Sequence, residues 1–218
     1  MDLVKFWTVC SANSIILTEP QIRQFERYEK ELIYWNEKIN LISRKDEENI
    51  LERHFLHSLS ILKYVNFKEK GVCLDFGTGA GFPGIPIKIA RPDLYFLLID
   101  SMKKKLKIAE MFAQHTGLRN IEATTCRIEE FANQKSNFMQ CDYIMARAVT
   151  KLDTLVEWTI RLLKENGKMI FLKGGDLTEE ISNTKRKFPS IKIEEIEINL
   201  FGAEWFLQEN KKIIVCSF

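Results

Sequence analysis

The stretch VCLDFGTGAGFPGIP, residues 72–86, decides the fold. Val72, Cys73 and Leu74 form a short apolar run of the kind that makes a strand buried on both faces of a parallel sheet. Asp75 ends the run. Gly77, Gly79, Gly81 and Gly84 follow within eight residues, and the chain turns apolar and helix-like from Ile85 to Ala90. Strand, glycine loop and helix open a nucleotide-binding βαβ unit. Glycines accept positive φ and let a ligand approach bare backbone, and the helix start adds unpaired N–H groups.

Two registers compete within the loop. Gly79-x-Gly81-x-x-Gly84 satisfies the dinucleotide pattern, and Asp75-x-Gly77-x-Gly79-x-Gly81 satisfies the acid-x-G-x-G-x-G pattern of S-adenosylmethionine (SAM) methyltransferases. The second fits better, because its acid sits at the strand end. The first leaves Gly77 unexplained and places Phe82 and Pro83 where a pyrophosphate needs backbone N–H groups, and proline has none. A glycine motif alone is weak; the second acid, Asp100, strengthens it.

The sequence has 218 residues, long enough for one domain with a sizeable core. A net charge of +2 does not by itself announce a polyanionic partner, so any nucleic-acid site must come from local clustering. Five cysteines without C-x-x-C spacing point to reduced thiols, a cytoplasmic setting and no zinc. Three of them, Cys73, Cys141 and Cys216, fall in strand patterns, where a thiol is a small apolar filler. With three histidines and no ligand spacing, no metal is expected. No signal peptide and no apolar run of membrane-spanning length are read.

Residues 1–17 resist assignment. Thr18 to Gln21 reads as a capped helix start, after which Ile22, Phe25, Tyr28, Leu32 and Trp35 make one apolar stripe. A second helical pattern runs from Asp46 through Leu51, Phe55, Leu59 and Leu62 to Tyr64, so two helices of about 20 residues precede the first strand. Strands are then expected near 72–76, 94–99, 120–125, 142–146, 168–172, 191–200 and 211–218, with helices between most of them, including one over 152–164. The pattern predicts a Rossmann-like α/β fold. Its seven-stranded, mostly parallel sheet carries helices on both faces and an antiparallel C-terminal hairpin. The chain divides into an N-terminal helical extension, 1–66, and a cofactor-binding core, 67–218, of one domain.

In such sheets ligands bind beyond the carboxyl ends of the strands. That rule selects Asp75, Gly77, Gly79, Gly81, Phe82, Asp100, Ile128, Glu129, Arg147 and Lys173. Asp100, about 20 residues past the glycines, suits the hydroxyls of an adenosine ribose. Its alternative is a helix N-cap, a role that Ser101 is expected to fill. Ile128 and Glu129 follow the third strand, where adenine would lie, or simply start an exposed helix. Arg147 faces cofactor or a substrate phosphate, or else forms a strand-end ion pair. The run Lys103 to Lys107 reads as solvated helix surface. Arg44, Lys45, Arg53, His54 and His57 form a basic patch suited to phosphates; His54 on a helix is otherwise a structural hydrogen-bonder.

From about Asn36 onward these motifs, in this order, resemble the bacterial small-subunit rRNA guanine-N7 methyltransferases, the glucose-inhibited division protein B family. Asn40-Leu-Ile-Ser43, Arg53-His-Phe-Leu-His-Ser-Leu59 and the extension Gly81-Phe-Pro-Gly-Ile-Pro86 carry the similarity. So do Asp100-Ser101, Arg127 to Glu130, Arg147-Ala148 and Leu172-Lys-Gly174. Phe76 stands where a smaller aliphatic residue is expected. The resemblance implies methyl transfer from SAM to N7 of a guanine in 16S rRNA, with SAM contacts at Gly77, Phe82, Ile128, Glu129 and Arg147. It implies 16S rRNA or the 30S subunit as partner; no membrane partner is expected, and a monomer is the default expectation. Guanine N7 has no proton to lose, which agrees with the absence of an obvious acid–base dyad. Arg147, Lys173 and His54 are then positioning candidates near the RNA. Two other readings keep the cofactor: methylation of a small molecule or protein, and SAM binding without turnover.

Overall fold

The computed structural model describes residues 1–218. Four strands form a parallel set: β1 (Val72–Phe76), β2 (Tyr95–Asp100), β3 (Ile121–Thr125) and β4 (Cys141–Arg147). Strand β5 (Leu163–Gly174) adds in parallel to β4, and β6 (Lys192–Glu197) and β7 (Lys211–Ser217) complete the sheet. The order is β3-β2-β1-β4-β5-β7-β6, with β7 antiparallel to both of its neighbours. The chain therefore moves outward from β1 to β3 and returns to β4 on the other side, which puts the topological switch between β1 and β4.

The strand period of two sorts apolar side chains cleanly between the two faces. Cys73, Phe96, Leu98, Tyr143, Met145, Ile170, Leu172, Ile213 and Val215 belong to one buried cluster. Leu74, Phe76, Ile99, Ile144, Ala146, Met169, Phe171, Ile214 and Cys216 belong to the other. Buried on both sides, these strands read as continuous apolar runs, as the sequence shows. Phe76 fills the second cluster against Phe171, their centroids 6.5 Å apart.

On the first face lie α1 (Leu3–Ala12), α2 (Glu19–Asn36), the short α3 (His57–Leu59) and α4 (Ile61–Tyr64), α5 (Gly84–Ala90) and α6 (Lys103–His115). The second carries α7 (Ile128–Ala132), α8 (Leu152–Thr159) and α9 (Thr178–Lys187), and α10 (Trp205–Gln208) lies in the β6–β7 connection. Helix α2 starts with the expected capping box between Thr18 and Gln21. Its Tyr28 stacks on Phe55 and Phe82, and its Phe25 packs edge-on to Phe6 and tilted against Phe55, at centroid distances of 4.9–5.6 Å. The Tyr28 hydroxyl donates to the Ala80 carbonyl at 2.6 Å. The N-terminal helices thus share a core with the glycine loop.

Three expectations need correction. The single helix over 46–64 is instead a 3-10 segment (Arg44–Asn49), a π-turn (Leu51–Leu56), α3 and α4. Residues 44–49 bury no side chain that could hold an α-turn on the core, and the wider π-turn lies where Arg147 approaches the Arg53 carbonyl, at 3.3 Å; such bulges concentrate at functional sites. Second, α8 stops at Thr159, and Asn166-Gly167 falls within β5, with Asn166 at φ +61°. Third, Ser101 does not cap α6: Met102 holds the N-cap position without a side-chain bond, and Asp100 Oδ1 accepts from the Met102 N–H at 2.7 Å just before the helix.

Candidate functional site

The site forms at the carboxyl ends of β1, β2, β4 and β5. The loop after β1 is held from below by Asp75, which is fully buried. Its Oδ2 accepts from the Thr78 hydroxyl at 2.7 Å and from the Gly84 N–H at 2.8 Å, while Oδ1 has no partner. Gly77, Gly79 and Gly81 all take positive φ, at +63°, +58° and +101°. A Cβ at Gly77 would lie 2.7 Å from Val149, and one at Gly81 would collide with Ile85. At Gly79 it would meet nothing within 4 Å. Gly79 is therefore the bare part of the loop, open to a ligand. Asp100 Oδ2 accepts its N–H at 2.8 Å, fixing the loop to the end of β2.

Burial lifts the Asp75 carboxyl to about 7, against the hydrogen bonds from Thr78 and Gly84 that favour its charge. A folded value raised above the unfolded one gives a stability contribution that is present at low pH and lost as pH rises through 7. Asp75→Asn removes that titration. Between pH 5 and pH 8 the wild type is expected to lose roughly 3 kcal/mol relative to the Asn variant. Urea unfolding of both proteins at the two pH values checks this; a constant difference would show that Asp75 does not titrate in that window.

On the other side of the switch, Arg147 ends β4. One Nη donates to His54 Nδ1 at 2.7 Å and the other to the Arg53 carbonyl. Its guanidinium stacks 4.8 Å from the centre of the Phe82 ring. No carboxylate lies within ion-pair distance of it, unlike Arg53, which pairs with Asp46 at 2.7 Å. Burial draws the Arg147 guanidinium down to about 10, with the Tyr28 hydroxyl, Asp75 and Asp46 opposing. Burial also lowers His54 to about 2, aided by the charges of Arg147 and Arg53. His57 is pushed well down by the same cause, with Arg147 and Lys211 contributing.

These groups line a cavity of about 670 Å³ over the ends of β4, β5 and β7. Lys173 lies on its wall, bonded to Glu180 at 2.5 Å and to the Thr150 carbonyl at 2.9 Å. Val149 lines the cavity and packs on Gly77. It is preceded by Ala148 in the left-handed region, at φ +54°. The segment 147–150 thus separates the glycine loop from the cavity.

The sequence-selected residues therefore fall into two groups. Gly77, Gly79, Gly81, Asp100, Ile128 and Glu129 gather over β1, β2 and β3, since Asp100 pairs with Thr125 in the sheet and α7 begins three residues later. His54, Arg147 and Lys173 gather in the cavity. Asp75 and Phe82 sit beneath the surface: Phe82 is 3 % exposed, with its ring against Tyr28, His54 and Arg147. Neither side chain is open to a ligand on the loop surface. The basic patch is also corrected in kind, because His54 and His57 are buried neutral rings and Arg53 is neutralised by Asp46. Sequence reading missed Asp46, Glu180, Trp205, Glu209 and Lys211 in the cavity. Only tertiary contact joins them, and no local spacing marks them.

The loop fits SAM: its exposed backbone at Gly79 is a cradle that a side chain would fill, flanked by the Asp100 carboxylate and by α7. Comparison with known proteins agrees. Residues 21–212 match the model of the family described as rRNA small subunit methyltransferase G. The ribosomal RNA small subunit methyltransferase G of Flavobacterium psychrophilum is 42% identical over 204 residues, covering 91% of each chain. That of Cytophaga hutchinsonii is 38% identical over 93% of this chain and 95% of its own. Among solved structures, a SAM-dependent methyltransferase from Aquifex aeolicus superposes with a TM-score of 0.57 at 18% identity, over 79% of this chain and 94% of that one. Aeropyrum pernix fibrillarin with natively bound SAM gives 0.58 at 14% identity, over 76% and 75%. These two show the fold.

Proposed function

The chain belongs to the rRNA small subunit methyltransferase G family, and from that premise we propose that it methylates N7 of a guanine in 16S rRNA of the small ribosomal subunit, using SAM. The observation that carries this reading is the division of the site: an open glycine loop over β1–β3, and beside it a cavity of about 670 Å³ over β4, β5 and β7. Cofactor on one side and target base on the other would meet at the 147–150 segment.

SAM supplies an electrophilic methyl group on a sulfonium sulfur. When bound, it would lie over the open backbone at Gly77 and Gly79, with Gly81 shaping the loop beneath, Asp100 placed for the ribose, and Ile128 and Glu129 for the adenine. Asp75 keeps the loop in shape. Guanine N7 is a lone-pair acceptor with no proton to lose, so the task left to this chain's residues is alignment and exclusion of water. Neutral His54 and His57 suit that task, because they add no charge beside the cation that forms on the base. Arg147, with no carboxylate partner, is a ready contact for an anion, either the cofactor carboxylate or a target phosphate. Lys173 steadies the cavity wall through Glu180 and Thr150. No helix is long and apolar enough to cross a membrane, and we place the protein in the cytoplasm as a monomer.

The test is transfer of label from methyl-tritiated SAM to 30S subunits and to bare 16S rRNA lacking the modification. Reduction, aniline cleavage and primer extension then locate N7-methylguanine. Label at one guanine is expected. No label in either RNA, with SAM binding intact by calorimetry, would overturn the reading.

A further inference from the structure

Tyr28 is fully buried in α2, among the rings of Phe55, Phe82 and Phe112 at centroid distances of 4.9, 5.6 and 5.0 Å. A phenylalanine would fill that space as well. A hydroxyl taken into an aromatic core costs free energy unless it is bonded. This one makes a single bond: it donates to the Ala80 carbonyl at 2.6 Å, across 52 residues of chain. Burial raises the hydroxyl well above its ordinary range, so it keeps its proton and stays a donor.

The carbonyl it holds lies inside the glycine turn. The other bonds that fix this turn come from the turn itself and from β1 and β2. Thr78 donates its N–H to the Ile99 carbonyl at 3.2 Å and its hydroxyl to Asp75. Gly79 donates its N–H to Asp100 at 2.8 Å, and Gly81 donates to the Thr78 carbonyl at 2.9 Å. Only the Tyr28 bond reaches the turn from the N-terminal helices. The Ala80 carbonyl and the Gly81 N–H belong to one rigid peptide plane. Tyr28 and the Thr78 carbonyl therefore hold the two sides of that plane. Gly79, the half-exposed residue next to it, is the part of the loop open to a ligand.

Resting on the reading of this loop as the SAM cradle, we propose that Tyr28 is a positioning residue for the cofactor. Its hydroxyl keeps the Ala80–Gly81 peptide turned into the core, and so keeps the neighbouring Gly79 backbone in the shape that SAM meets. Loss of the hydroxyl leaves a buried carbonyl without a partner. To reach water, the peptide plane has to turn, which also breaks the bond from Gly81 to Thr78. The free loop is then mostly turned. SAM binds only the fraction that is not, and its apparent affinity falls by that fraction. The N-terminal helices are on this account part of the cofactor site and not a cover beside it.

The test is made on the full-length protein. Tyr28→Phe keeps the ring and its stacking and removes one oxygen. Well below the thermal midpoint, the dissociation constant for SAM by calorimetry is expected to rise about tenfold, the size of one unsatisfied buried group. In 30S methylation, KM for SAM should rise by a similar factor while kcat at saturating SAM stays within about twofold of the wild type. The Gly81 amide should exchange with solvent faster in the variant, and added SAM should slow it again. Lost stability alone is controlled by Phe25→Leu. Phe25 lies in the same helix and the same core, fully buried, without a bond to the loop. Its replacement should lower the thermal midpoint and leave SAM affinity at the wild-type value. Unchanged SAM affinity in Tyr28→Phe, or an equal loss in Phe25→Leu, overturns the proposal. Absence of SAM binding by the wild type would instead strike the reading of the loop as the cradle.

Discussion

Replacing Arg147 by alanine is expected to lower kcat/KM for 30S methylation by about a hundredfold or more. The guanidinium is half-buried, bonded to His54 and the Arg53 carbonyl, stacked on Phe82, and unpaired with any carboxylate. Truncating one partner of a buried charged contact costs about 2–5 kcal/mol in complexes of this kind, enough for such a loss. Arg147→Lys should recover little, because an ammonium lacks the flat fork that bonds two groups and stacks on a ring at once. Two further readings locate the loss. If Arg147 meets the cofactor carboxylate, SAM affinity by calorimetry falls; if it meets an RNA phosphate, KM for 30S rises and its salt dependence weakens. The alanine variant also removes the donor that fixes His54 and a charge that depresses it, so the His54 resonance should titrate at higher pH than in the wild type. Near-wild-type turnover in Arg147→Ala would remove this residue from the proposed site.

The second large effect concerns the loop. Gly81→Ala places a Cβ against Ile85 and 3.0 Å from the Tyr28 hydroxyl, at a backbone φ of +101°. An L-residue forced there costs about 1–3 kcal/mol, and overpacking a filled core adds a similar amount. The variant is expected to lose roughly 2–5 kcal/mol of stability, with SAM binding lost in consequence. Gly79→Ala is the informative contrast. Its φ of +58° is also left-handed, but the added carbon meets nothing within 4 Å. Stability should fall by only about 1–2 kcal/mol, whereas SAM affinity should drop at least tenfold, because the methyl group fills the cradle. Thermal unfolding and calorimetry on the two variants check the pair. Equal SAM affinity in Gly79→Ala and the wild type would mean that the cofactor does not approach this part of the loop.

The sequence alone determined the α/β fold, since strands buried on both faces must be short apolar runs and those runs are visible between helical stripes. It also located the glycine loop and Asp100, because a tight turn at a strand end needs particular residues at particular spacings. It could not show that residues 44–64 break into 3-10, π and short α-segments. That break depends on what the segment packs against: Arg147, some ninety residues away in the chain, takes the Arg53 carbonyl and the His54 nitrogen. Nor could it show that Phe82 lies under Arg147 instead of at the loop surface. The cavity was least legible of all. Asp46, His57, Arg147, Lys173, Glu180 and Trp205 come from six separate elements, and their pairings are set by neighbours across the fold. Local patterns record backbone needs, which repeat along the chain; the pairing of side chains from distant segments is decided only when the sheet brings their ends together.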